Sequence, residues 1–132
     1  MTEPEPWRAL DDEVAQWAAP PSLWLRDDDA TGPAPAVATL LDACAAARVP
    51  VCLAAIPAVL DPAFAPWLAS HPAATTVVPH GLGHKNHAPE GQKKAEFGDH
   101  RSIEEISADL RDGFDRTQDA FGPRFRPIFV PP

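Results

Sequence analysis

Three consecutive aspartates, Asp27, Asp28 and Asp29, and two histidines four residues apart, His80 and His84, are the side chains best suited to chemistry in this sequence. Carboxylate oxygen and imidazole nitrogen form the ligand set of zinc and of similar first-row divalent metals. Three protein ligands with a fourth position left open make a catalytic site, not a closed structural one. The spacing of His80-Gly-Leu-Gly-His84 places both imidazoles on one face of a helical turn, and its glycines equally allow a tight loop to converge them. Each piece alone has an ordinary alternative. An aspartate run is often a solvated strand-to-helix loop, and an isolated histidine pair is a weak motif. Their placement relative to the predicted elements is what joins them.

Residues 22–25 form a short apolar run ending at Arg26 and the aspartates, which predicts a first strand with its polar side chains at the C-terminal end. An Ala- and Leu-rich helix is predicted over 34–47, with Pro35 in its first turn, followed by a buried strand over 51–56. A short helix over 61–70, with Asp61 as N-cap, leads to a third strand over 75–78 that ends at Pro79 and His80. The polar stretch 80–101 is too long for an ordinary connection, and such loops are usually functional. Ser102 and Glu105 form a capping box that opens a helix to Phe121, stopped by Gly122 and Pro123, and residues 128–130 begin a fourth strand. Ahead of all these, Trp7, Leu10, Val14 and Trp17 mark one face of an amphipathic helix over 7–18.

Strands alternating with helices predict an α/β fold with a parallel sheet and right-handed crossovers. In such folds ligands bind beyond the carboxyl ends of the strands. The aspartates after the first strand and the histidines after the third are therefore brought to the same end by topology. Arg26 is placed to hold one of the carboxylates through a bidentate contact. His87 and His100, in the long loop, are candidates for contacting a substrate or for hydrogen-bonding the ligands. His71 falls at the opposite end of the sheet, as a surface bystander. Lys93, Lys94 and Arg101 alternate with Glu90, Glu96 and Asp99, a pattern expected to pair within the loop.

A length of 132 residues suits one domain, and 45% hydrophobic with 23% charged residues supports a packed core. The net charge of −8 argues against nucleic acid or an anionic membrane surface as the main partner. No apolar run approaches the roughly 18 residues of a membrane span. The acidic N-terminus lacks the apolar segment of a secretory signal, so the expected location is the cytoplasm. Cys44 and Cys52 lie in apolar segments and read as buried, reduced thiols.

The aspartates after the first strand and the HxxxH pair after the third resemble the polysaccharide deacetylases of the NodB-homology type, within the wider carbohydrate esterase group. Arg26-Asp-Asp-Asp-Ala30, His80-Gly-x-x-His84 followed by Glu96-Phe97, and the ending Phe129-Val-Pro-Pro132 look like a divergent branch. The resemblance implies a distorted (β/α) barrel, of which about four strands are supplied here. Residues 1–132 then correspond to the N-terminal portion of the domain, without the later motifs or the histidine that serves as general acid. It implies Asp28 as catalytic base, with Asp29, His80 and His84 holding a divalent metal, zinc ahead of cobalt, nickel or iron. That register aligns Ala30 with the family's motif glycine; the alternative register selects Asp27 and Asp28. The implied activity is removal of acetyl groups from an N- or O-acetylated sugar or a related amide, impaired by the missing half. Rival expectations are a non-catalytic metal- or sugar-binding module, an assembly unit whose open sheet edge is covered in a homo-oligomer, and an amidohydrolase acting on a small non-sugar amide.

Overall fold

The structure, a computed structural model, describes residues 5–132; the beginning of the acidic N-terminal segment, residues 1–4, lies outside the described residues. Its elements are α1 (Glu5–Val14), β1 (Arg26–Ala30), α2 (Pro35–Ala47), β2 (Val51–Ala55), α3 (Phe64–Ser70), β3 (Thr75–Pro79) and α4 (Ile103–Phe121). The strands form a three-stranded parallel sheet in the order β1-β2-β3. This is a mixed α/β fold with helical crossovers.

β2 carries Val51-Cys-Leu-Ala-Ala55, and all five of its residues are buried. A central parallel strand is covered on both faces, so it needs no polar residue on either. Its alternation divides the interior in two. Val51, Leu53 and Ala55 join Leu41, Phe64, Leu68, Val77 and Phe121 on one face, whereas Cys52 and Ala54 pack with Val78 and Val130 on the other. Phe64 anchors the larger cluster, edge-on to Phe121 with ring centroids 5.6 Å apart. Burying a side chain of this size contributes roughly 1.5–3 kcal/mol. Both cysteines are buried and free.

The helix boundaries have local causes. Pro35 occupies the first turn of α2, where its missing N–H has no intrahelical partner to lose. Asp61 is not the N-cap of α3: that position is Ala63, without a side-chain cap, and Asp61 Oδ1 accepts from the Ala63 N–H at 2.8 Å in the turn before the helix. Ser102 and Glu105 form the expected capping box at the start of α4, and Gly122, at φ +50°, ends it.

Three further expectations need correction. The first strand is not at 22–25 but at Arg26–Ala30, so the aspartates lie in the strand instead of following it. As an edge strand β1 keeps one side in water, which makes its carboxylates tolerable. The apolar residues before it stay outside: Leu23 is 90% exposed and Trp24 60%, with Arg26 stacked 5.2 Å over the Trp24 ring. The expected fourth strand is reduced to two isolated parallel bridges, Val77 with Phe125 and His80 with Val130. Pro127 and Pro131 have no N–H to donate, so a regular ladder cannot run through this segment. Finally, α1 is amphipathic as expected but ends at Val14 and buries none of its residues. No helix among the described residues is long and apolar enough to cross a membrane.

Candidate metal centre

Asp29 ends the polar part of β1, and its backbone leaves the strand conformation, with φ at +64°. The β1–β2 register shifts between Asp27 and Ala30. In a regular strand Asp29 would follow the alternation of its neighbours; a bulge of this kind re-aims one side chain. His80 follows β3 directly and is 5% exposed, whereas His84 stands in the loop beyond it with φ at +54°. Among the described residues only Asp29, His84 and Arg48 are non-glycine residues with positive φ, and Arg48 is the C-cap of α2. Left-handed backbone is uncommon at non-glycine residues, and aspartate and histidine are among those that accept it best.

These distortions bring three side chains together. Asp29 Oδ1 lies 3.3 Å from Nε2 of His80 and 3.3 Å from Nε2 of His84. The three ligand atoms all fall within 4.8 Å of one another. Zinc–nitrogen and zinc–oxygen bonds of about 2.0–2.2 Å at a tetrahedral angle separate neighbouring ligand atoms by roughly 3.3–3.5 Å. The donor set and its spacing therefore fit a divalent metal.

The hydrogen bonding of His80 strengthens that fit. Its Nδ1 lies 3.1 Å from the carbonyl oxygen of Val130. A carbonyl only accepts, so Nδ1 carries the proton and donates. In the neutral ring Nε2 then presents a lone pair toward the Asp29 carboxylate, and two acceptors face each other. A metal ion between them, or a proton on Nε2, would satisfy both acceptors. Histidine ligands to metals are commonly oriented by such a bond from the second ring nitrogen.

Asp28 has its carboxylate held by Arg26, whose Nε and Nη2 donate to Oδ1 and Oδ2 at 2.6 Å and 3.0 Å. This is the bidentate contact expected of Arg26. Neither Asp27 nor Asp28 contributes an atom to the converging group. The Asp27 carboxyl is pushed above the usual carboxylate range, first by burial and then by the charges of Asp28 and Asp29. His87 is exposed, and its backbone N–H donates to Ala95 O at 2.9 Å. His100 has a buried Nε2 without a hydrogen-bond partner. Neither histidine joins the metal group.

Loop pairing also differs from expectation. Arg101 reaches out of the loop to Asp109 of α4, with Nη2 to Oδ2 at 2.8 Å. His71 is half-buried, not simply exposed: its ring lies tilted against Trp67 at 4.4 Å between centroids. Glu96 pairs with no lysine; it is 4% exposed and accepts from the backbone N–H groups of Leu82 and Gly83. The sequence predicts a loop cation as the partner of Glu96, because partners that are backbone amides leave no residue-type signal.

A cavity of about 150 Å³ borders His84 and is lined also by Lys85, Asn86, Lys94 and Glu96. A larger one of about 540 Å³ lies between residues 57–66 and the end of α4, sharing no residue with the metal group. Of the three converging residues only His84 lines the smaller cavity. Comparison of the chain with protein-family models, with curated proteins and with solved structures gave no match in any of the three.

Proposed function

We propose that this chain carries the metal centre of a hydrolase resembling the polysaccharide deacetylases, acting in the cytoplasm on an N- or O-acetylated sugar or a related amide. The observation that carries the proposal is the convergence of Asp29, His80 and His84, two of them on left-handed backbone, from opposite ends of the sheet order. The sheet is then one part of a (β/α) barrel, and the register that takes Asp29 as ligand and Asp28 as base is the one the distances favour.

Asp29, His80 and His84 would hold the metal, with zinc as the expected ion. A divalent ion there supplies Lewis-acid activation of water and polarisation of the acyl carbonyl. The protein's own residues do the rest. The Val130 carbonyl fixes the tautomer and ring plane of His80. Arg26 fixes Asp28 with two hydrogen bonds, so the base is positioned before a substrate arrives. Asp28 takes one proton from the attacking water, whose oxygen bonds to the acetyl carbon. That proton balances the one gained by the leaving amine or alcohol when its bond to the acetyl carbon breaks. His84 and Asp29 have side chains 44% and 62% exposed, which leaves the acyl group open access from solvent.

Metal analysis after zinc loading tests the site. Wild type is expected to hold close to one equivalent, and His80→Ala and His84→Ala much less; equal content in all three would overturn the proposal. Acetate release from acetylated sugars and simple amides then tests the activity. Asp28→Asn is expected to reduce it by about 10²–10⁴-fold with metal content retained. A second reading, an assembly unit, is favoured by one observation. Among the described residues the outer edge of β1 has no partner strand, and Leu23 and Trp24 stand exposed just ahead of it. A dimer in size-exclusion chromatography that Trp24→Ser dissolves supports that reading, and a monomer at high concentration removes it.

A further inference from the structure

Between the two histidine ligands runs Gly81-Leu-Gly83, and the anion nearest to this backbone belongs to the protein itself. Glu96 Oε1 accepts from the Gly83 N–H at 2.7 Å and Oε2 from the Leu82 N–H at 3.1 Å. Successive amides following a residue with positive φ form a concave nest that binds anions. Here Gly81 supplies the positive φ, +66°, and the bound anion is the Glu96 side chain. A Cβ at Gly81 would collide with Glu96 Oε2, so the absence of a side chain is what lets the carboxylate in.

Glu96 is itself held from three directions. Its carbonyl accepts from Arg101 Nη1 at 3.3 Å, and Arg101 is anchored on Asp109 of α4. Its neighbour Ala95 donates its N–H to Asn86 Oδ1 at 3.0 Å and accepts from the His87 N–H at 2.9 Å. The far end of the long polar loop is thereby folded back onto its beginning. Yet Glu96 forms no ion pair among the described residues, although it is almost fully buried. A buried carboxylate satisfied only by amides is costly to desolvate. A neutral acceptor would tether a loop more cheaply, which points to a role for the charge.

Building on the metal centre proposed above, we propose that Glu96 is a positioning residue of that centre. Its carboxylate locks the Leu82 and Gly83 amides into the turn that carries His84 back toward His80 and Asp29. Groups that orient ligands without touching the metal typically change metal affinity 10–100-fold when lost. Glu96→Gln keeps the size but offers one acceptor oxygen for two N–H groups and turns an NH₂ donor toward the other. Zinc affinity of the full chain, measured by calorimetry, is expected to fall about 10–100-fold in Glu96→Gln. The Co(II) visible absorption spectrum should change in shape, while the amide resonances of β2 and α4 stay in place. Gly81→Ala, which expels the carboxylate, should produce the same loss, and the double variant no more than either single one.

A measurement on wild type needs no variant to fold. Zinc should slow hydrogen exchange at the Leu82 and Gly83 amides, because metal and Glu96 order the same turn. Unchanged exchange at both amides on zinc binding overturns the role of Glu96. So does a Glu96→Gln protein that binds zinc within twofold of wild type with an unaltered Co(II) spectrum. Failure of wild type itself to bind zinc is a different result: it overturns the metal centre, and the positioning role with it.

Discussion

β1 and β2 are adjacent parallel strands of five residues each, and their compositions are opposite. β2 is Val-Cys-Leu-Ala-Ala, buried throughout; β1 is Arg-Asp-Asp-Asp-Ala, buried only at Ala30. Arg26 pairs with Cys52 and Asp27 with Leu53, so the change from core to polar rim takes place across a single strand spacing. In the centre of the sheet a carboxylate would lose its hydration on both faces, at a cost of several kcal/mol. At the edge one side stays wet, and the strand can carry charge and tolerate a bulge. A rigid apolar strand thus serves as the reference against which a strained, charged strand is held in register. Core packing and the candidate metal group fall on different strands.

That division is open to direct attack. Leu53 is fully buried, and Leu53→Ala should lower stability by about 2–5 kcal/mol in urea unfolding. Asp29→Gly should do the reverse on the neighbouring strand. Glycine accepts the left-handed backbone at no steric cost and removes one of three crowded carboxylates, so stability should hold or rise by up to about 1 kcal/mol. Its effect belongs to zinc affinity, which should drop by more than about 100-fold, beyond the loss expected for a merely supporting residue. If Asp29→Gly unfolds the protein as Leu53→Ala does, the separation of roles between the two strands is wrong.

How much of this the sequence disclosed follows the same line. β2 is a continuous apolar run and β3 a β-branched one, and their neighbouring prolines make both legible almost to the residue. The capping box at Ser102 and Glu105 is legible because side chains bond the backbone at fixed spacing. β1 was misplaced because 22–25 is the more apolar segment, and hydrophobicity alone cannot tell that an edge strand will consist of aspartates. The shift matters little for the site. The carboxylates remain at the end of the sheet where β3 delivers His80, so the grouping of Asp29 with the histidines was still anticipated. What composition could not disclose were contacts to backbone: the Val130 carbonyl on His80, and the two amides on Glu96. The left-handed backbone at Asp29 and His84 is not legible either, because aspartate and histidine tolerate that conformation without requiring it.

The start of α4 marks where the polar rim ends and packing resumes, and it sharpens the comparison with the smallest effects. Ser102 Oγ accepts from the Glu105 N–H at 3.2 Å, and the Glu105 carboxylate accepts from the Ser102 N–H at 2.9 Å. Ser102→Ala should cost about 1 kcal/mol, with faster hydrogen exchange confined to the first turn of α4. Glu105→Gln tests the electrostatic part alone. The Ser102 backbone N–H, and then its hydroxyl, hold the Glu105 carboxyl below the usual range. The unfolded chain therefore takes up the proton first as pH falls. The contribution of Glu105 is complete above the ordinary glutamate range and is lost as pH drops through it toward the lowered native value. Thermal melts of wild type and Glu105→Gln should thus differ slightly at pH 7 and converge under acid. A difference that widened on acidification would place Glu105 in some other interaction and leave the boundary between rim and core without its electrostatic latch.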